Sequence, residues 1–264
     1  MATAYQPAPR KHLVPTALRA PLEGRTWREL VYLLLNLPVG IAAFVWTVTM
    51  VSLGAGLLIT FVGVPVLALA LLGCRGLGVI ERARARSLLH EDVPEPGPLQ
   101  PNTRGLLSRM GALFKSGVSW RHTIYSLLML PWGIFTFTVT TVLSTCGWGM
   151  LTYPVWQWVF PRYIDQPGLQ LYGDETGRHN WYMDSPAEIA GTAALGLLVW
   201  MGTPWFVRGM AHVDRLMVRG LLSPSYLAER VQELESDRGT VVDTAAADLR
   251  RIERDLHDGA QARL

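Results

Sequence analysis

The chain has 264 residues, half of them hydrophobic and 17% charged, with a formal net charge of +3 and positive mean hydropathy. A soluble domain of this size is more polar, so the composition points to membrane segments, and the small net charge gives little support to nucleic-acid binding. Cys74 and Cys146 sit at the ends of apolar runs with no partner nearby in sequence, which argues against a disulfide framework or a cysteine metal site.

Residues 1–28 are polar and proline-rich with five basic residues, and read as a disordered cytoplasmic tail. Leu30 to Cys74 carries no charge. That is about twice the roughly 20 residues that span a bilayer as a helix. Ser52, Gly54 and Gly56 suit a tight turn, giving a hairpin with spans near 30–51 and 55–74. Residues 75–122 form a basic, proline-broken loop whose start, "RGLGVIERARARSLL", reads as a helix on the inner surface. Further uncharged stretches run over 123–160 and 189–207. Between them lies a polar, aromatic loop with Asp165, Asp174, Glu175, His179, Trp181, Tyr182 and Asp184, where a metal or a cationic peptide could bind. Pro38, Pro65, Pro131 and Pro204 lie in or near spans and read as kinks, with hinges as the second reading.

The two halves are alike. Residues 26–44 align with 119–137 at a constant offset of 93, and ten of the eighteen positions from Trp27 to Phe44 are identical. Two duplicated hairpins are the simplest account, as internal repeats recur in membrane proteins. Arg and Lys number five before residue 30, eight in 75–122, two in 147–187 and nine after 207. The positive-inside bias then predicts four spans with both termini cytoplasmic and an outer loop over about 147–187. The stretch 147–160 is not a full return span; its aromatic residues suit the outer interface. The expected fold is an all-α membrane protein of four transmembrane helices over 29–207, followed by a signalling linker over 208–244 and an acceptor helix over 245–264.

Pro224 breaks the chain after the last span, with Ser223 as a helix N-cap. Beyond it, Leu227, Val231, Leu234, Val241, Ala245, Leu249, Ile252, Leu256 and Ala260 form a coiled-coil seam with slips. One helix cannot bury such a stripe alone, so the tail predicts a homodimer. His257 lies at the edge of this seam, followed by Asp258, with Arg254 and Gln261 on its own face. A histidine beside a carboxylate can act as a nucleophile, the acid taking its proton.

"RRIERDLHDGAQARL" resembles the phosphoacceptor box of bacterial two-component sensor histidine kinases. The match is to the subfamily whose box reads R-x-L-H-D-x-x-x-Q and whose response regulators carry a helix-turn-helix output. "ERVQELESDR" resembles that subfamily's linker. The duplicated Trp-Arg…Tyr…Leu-Pro-x-Gly module resembles the four-helix "putative sensor" domain of actinobacterial kinases. The resemblance implies that His257 is the phosphorylated residue and Asp258 its general base, with Arg254 and Gln261 near the phosphoryl group. The family's phosphatase motif has Gln where this chain has Ala262, with Gln261 one position early, which puts dephosphorylation of the regulator in doubt.

The family's ATP-binding domain is not in this sequence, and "GLGVIERARARS" lacks the Gly-Lys-Ser ending of a P-loop. No cofactor is therefore expected on this chain; ATP and Mg would belong to a domain beyond it. The implied role is the sensor portion of a kinase in the plasma membrane, with partners in a second copy, a response regulator and membrane lipid. It makes no direct nucleic-acid contact. The alternative is a free-standing membrane protein that dimerises with full-length kinases and modulates them. A transporter is set aside because the uncharged stretches offer no ionisable group along a pathway.

Overall fold

The computed structural model describes residues 21, 23–99, 105–173 and 180–224. It contains α1 (Gly24–Gly56), α2 (Gly63–Arg84), α3 (Leu106–Lys115), α4 (Gly117–Leu151), α5 (Tyr153–Trp156), strands β1 (Leu169–Tyr172) and β2 (Trp181–Met183), and α6 (Pro186–Leu222). Helix α2 passes directly into a π turn, Ala85–Leu89. The four long helices α1, α2, α4 and α6 are each long and apolar enough to cross a membrane. The fold is all-α with one two-stranded antiparallel hairpin added in the 152–185 connection.

The helices outrun the uncharged stretches. Helix α1 has 33 residues and α6 has 37, which is roughly 50 Å or more of rise where about 30 Å of hydrocarbon must be crossed. The surplus carries charged residues into the helical bundle. The expected turn over 52–56 is displaced, because α1 continues through Gly56. The turn is made by a 3₁₀ segment at Leu58–Thr60, and Phe61 adopts a left-handed φ of 59°. Gly54 serves packing instead: a Cβ there would lie 2.6 Å from Leu67 Cγ on α2. The expected inner-surface helix is also corrected. Residues 75–84 simply continue α2, and Glu81, Arg82 and Arg84 are buried, because their charges find partners on the other helices.

The duplication is visible in the burial pattern. Gly24 and Gly117, which open α1 and α4, are 93 positions apart. Each of the nine buried residues of α1 has a buried counterpart in α4 at that offset, from Thr26 and Ser119 to Gly54 and Gly147. The two helices pack reciprocally. A Cβ on Gly40 would lie 2.8 Å from Met129 O, and one on Gly133 would lie 2.7 Å from Asn36 O. Asn36 and Met129 are themselves repeat mates, so one contact is made twice. Small residues at such a crossing let the backbones touch, which is how helices associate in lipid. The outer faces carry Ile41, Val45, Phe135 and Leu198, all strongly exposed and suited to acyl chains.

The 152–185 connection is built on Tyr153. Its hydroxyl donates to Met183 O (2.7 Å) and accepts from Leu169 N (3.1 Å), tying both strands to α5. Helix α6 then starts with a capping box of Ser185 and Glu188, and Glu188 also accepts from Trp181 Nε1 at 2.8 Å. Helix α6 stops at Leu222, before Pro224. Ser223 turns its hydroxyl back to Arg219 O, so it closes α6. The helix that Ser223 is expected to N-cap lies outside the described residues. The coiled-coil seam and the expected linker beyond Pro224 lie outside the described residues.

Replacing Gly40 or Gly133 by Leu should force the α1–α4 crossing apart, at a cost of about 1–3 kcal/mol or more. Gly209→Leu, at a position with nothing within 4 Å of a Cβ, should cost far less. Thermal unfolding of the purified variants in detergent, read by loss of soluble monodisperse protein, separates the two outcomes.

Candidate functional site

The charged ends of the long helices meet in one buried cluster. Arg84 on α2 is 9% exposed and donates through Nη2 to Glu81 Oε2 (2.8 Å) and to Asn36 Oδ1 (2.7 Å). Its guanidinium lies 4.1 Å from the ring centroid of Tyr32 on α1, a cation–π contact strengthened by burial. Tyr125 on α4, the repeat mate of Tyr32, donates its hydroxyl to Glu81 Oε2 at 3.0 Å. The other end of the Asn36 amide donates to both carboxylate oxygens of Asp214 on α6 (3.2 Å each) and to Thr136 Oγ1 on α4 (3.3 Å). Trp132 Nε1 also donates to Asp214, at 3.0 Å. Asp214 is 1% exposed.

A buried carboxylate is costly unless it is paired and hydrogen-bonded. Here two carboxylates, Glu81 and Asp214, share one guanidinium, the second through Asn36. All four long helices contribute. The cluster keeps some spare capacity: Glu81 Oε1 is buried without a hydrogen-bond partner. Polar groups that could pair in a second arrangement are what a bistable contact requires.

Around this centre, a ring of contacts grips the end of α6. Arg82 on α2 donates to Leu222 O at 3.3 Å, and Arg121 on α4 donates to Gly220 O. Arg219 pairs with Glu91, and Arg215 Nη2 with Glu29 Oε1 at 2.6 Å. Cations at helix carbonyl ends are favourable because the last carbonyls lack partners and the helix dipole is negative there. The repeat mate of Arg121, Arg28 on α1, meets the ring of His90, just past the π turn of α2, at 3.4 Å. Glu29 and His122, another pair of mates, are both buried, and Glu29 is doubly salt-bridged.

The residues expected from the sequence to carry chemistry fall elsewhere. His257, Asp258, Arg254 and Gln261 lie outside the described residues, as do Asp174, Glu175 and His179 of the connecting loop. Trp181 and Tyr182 lie on β2, and Asp165 closes the π turn Phe160–Ile164 with a left-handed φ of 53°. Among the described residues no three His, Cys, Asp or Glu side chains gather as a metal site. The buried cluster was missed because its charged members, Glu81, Arg84 and Asp214, flank the uncharged stretches and read as interfacial charges, while its uncharged members lie within them. One signal was available: within the repeat, Asn36 stands where the second copy has apolar Met129. The ground for setting a transporter aside also changes, since the long helices do hold buried ionisable groups.

Removing one partner of this cluster strands the others. Arg84→Ala should lower stability by about 3–5 kcal/mol, whereas Arg86→Ala, in the exposed pair with Asp92, should cost about 1 kcal/mol or less. Equal losses in a denaturant titration of the two variants would contradict the assignment of the cluster as the bundle's polar core.

A family model described as "Putative sensor" matches residues 32–222. No curated protein and no solved structure matches the chain.

Proposed function

The chain belongs to the "Putative sensor" family, whose model covers most of its length, and on that premise we propose that it is the sensor portion of a membrane two-component histidine kinase. The sensing role comes with the family. The kinase context, the bacterial subfamily and the relay to a response regulator with a helix-turn-helix output rest on the residue pattern around His257.

In this reading an envelope or membrane signal shifts α6 against α1, α2 and α4. The chain leaves the bundle through the end of α6 and continues into the predicted signalling helix of a homodimer in the cytoplasm; the first turns of α1 pack beside the last turns of α4, which does not fit the expectation of both chain ends on one face. His257 then receives a phosphoryl group. Its imidazole nitrogen attacks the terminal phosphorus of ATP, the bond to ADP breaks, and Asp258 takes the imidazole proton. Arg254 and Gln261 lie beside the incoming group. ATP is held by a domain outside these residues, in the same protein or in a partner kinase.

The single observation that carries the reading is where the polar cluster acts. Arg82 and Arg121 hold the last turn of α6, and Asp214 is fixed two turns earlier by Asn36 and Trp132. A displacement of α6 must exchange these bonds, so the cluster converts a change among the spans into two discrete positions of the exit helix.

Membranes of the native host should contain this chain with an acid-labile phosphate on His257. His257→Gln should abolish the label, and Asp258→Asn should slow labelling by about 100-fold, within the range for loss of a general base. Absence of label on the chain, or its persistence in His257→Gln, would refute the relay.

A further inference from the structure

Where the charged ends of α1 and α6 meet, a pocket of about 300 Å³ lies beside the π turn that ends α2. Arg25, Arg28 and Glu29 of α1, Leu89 and His90 at the end of that turn, and Arg215 of α6 line it. Three guanidiniums thus face one carboxylate. Glu29 is buried, and its Oε1 already accepts from Arg25 Nε (3.0 Å) and from Arg215 Nη2 (2.6 Å). That double bridge holds two of the cations in place. It leaves the Nη groups of Arg25 without a partner among the described residues.

The unusual member is Arg28. Every other arginine of α1 and α6 pairs with an acid: Arg25 and Arg215 share Glu29, Arg208 meets Glu23, and Arg219 meets Glu91. Arg28 meets only the ring of His90 among the described residues, at 3.4 Å. An imidazole carries no negative charge in either of these protonation states, so the Arg28 charge has no counter-ion there. The face on which Arg28 stands continues into lipid. Arg28, Val31, Leu35 and Val45 follow one another at helical spacing, and all four are exposed. Helix α1 carries no charge from Leu30 onward. A cationic pocket therefore heads an apolar stripe. The duplication sharpens the contrast. At the positions of Arg25 and Glu29 the second copy has Val118 and His122. Arg121, the mate of Arg28, donates to Gly220 O instead.

We propose that this pocket binds the phosphate of an anionic phospholipid, with an acyl chain laid along Val31 and Leu35. The phosphate oxygens accept from Arg28 and from the Nη groups of Arg25, and Arg215 adds a third positive charge behind them. Guanidiniums suit this role because their donors form a planar fork that matches two phosphate oxygens. Basic pockets between membrane helices take anionic headgroups on the same logic. Glu29 does not oppose the anion, since two of the three guanidiniums already neutralise it. A zwitterionic headgroup brings its own cation and gains less from the surplus charge. Inorganic phosphate offers the same oxygens but has no tail for the stripe. Binding of the lipid does not depend on the sensor reading. Its weight as a stimulus does, because Arg215 belongs to α6, the helix which that reading requires to move.

The test is native mass spectrometry of the full 264-residue chain in a neutral detergent, titrated with phosphatidylglycerol and, separately, with phosphatidylcholine of the same acyl chains. Phosphatidylglycerol adducts should form at the lower lipid concentration. Arg28→Gln should weaken that binding about fivefold, the weight of one cation near a lipid surface. Arg25→Gln, a second variant at an exposed position, should weaken it to a similar extent. Arg162→Gln, which removes one exposed charge from the 152–185 connection, should leave it unchanged. Equal binding of the two lipids, or phosphatidylglycerol binding undiminished in either pocket variant, would overturn the proposal. An equal loss in Arg162→Gln would mean bulk charge attraction and would overturn it too. Displacement of phosphatidylglycerol by millimolar inorganic phosphate would assign the pocket to a soluble anion and overturn the lipid. None of these readouts involves His257, so the sensor reading stands or falls separately.

Discussion

Asn36 holds unlike charges at the two ends of one amide. Its carbonyl oxygen accepts from Arg84, and its nitrogen donates to Asp214. Turning the amide over would set donor against donor and acceptor against acceptor, so its orientation is fixed by the charges it joins. Through this one side chain α1 is tied to α2 and α6, and Thr136 adds α4. In lipid there is no hydrophobic force between helices comparable to that in water, and the bundle relies on close packing and on polar contacts of this kind. Small-residue packing sets the α1–α4 crossing, and the Asn36 bridge sets where the end of α6 rests.

The duplication explains why the bridge could form. Both copies preserve the scaffold: the Pro in mid-helix, the Gly two residues later, and the buried Tyr of the first turns. The site sits where the copies differ. Asn36 faces Met129 in the alignment, Glu29 faces His122, Ala43 faces Thr136, and Val39 faces Trp132. A symmetric pair of hairpins thereby acquired an asymmetric polar centre, with Asp214 of the last helix drawn to the first copy's Asn36. The pocket at Arg28 is a second departure from the same symmetry. Divergence is concentrated in one cluster and one pocket, each drawing on α6.

Much of the fold was legible because its signals are one-dimensional. Uncharged stretches of about one or two bilayer lengths located the four spans, and a fixed offset with shared Trp, Arg, Pro and Gly located the repeat. What escaped depends on which groups meet in space. Glu81, Arg82 and Arg84 within "ERARARS" look like a surface stripe; only the presence of Tyr125, Asn36 and the Leu222 carbonyl opposite them makes their burial affordable. Gly54 and Gly56 look like a turn, yet helix continues through them because backbone groups in an apolar setting favour internal hydrogen bonds. The chemistry read from His257 depends on the residues beside it in sequence, and those positions lie outside the described residues.

The central claim is that the Asn36–Asp214 contact sets the position of α6. The most direct measurement is the distance between spin labels on α2 and α6, at the exposed positions Val79 and Leu216. It is made in a Cys146→Ser background, in the native protein and in Asp214→Asn. That substitution keeps the shape and removes the charge. The account predicts a shift in the distance distribution of roughly 1–2 Å or more, the scale of helix displacement in switching bundles, with the bundle still folded. Superimposable distributions would show that α6 is held by packing alone and would contradict the claim.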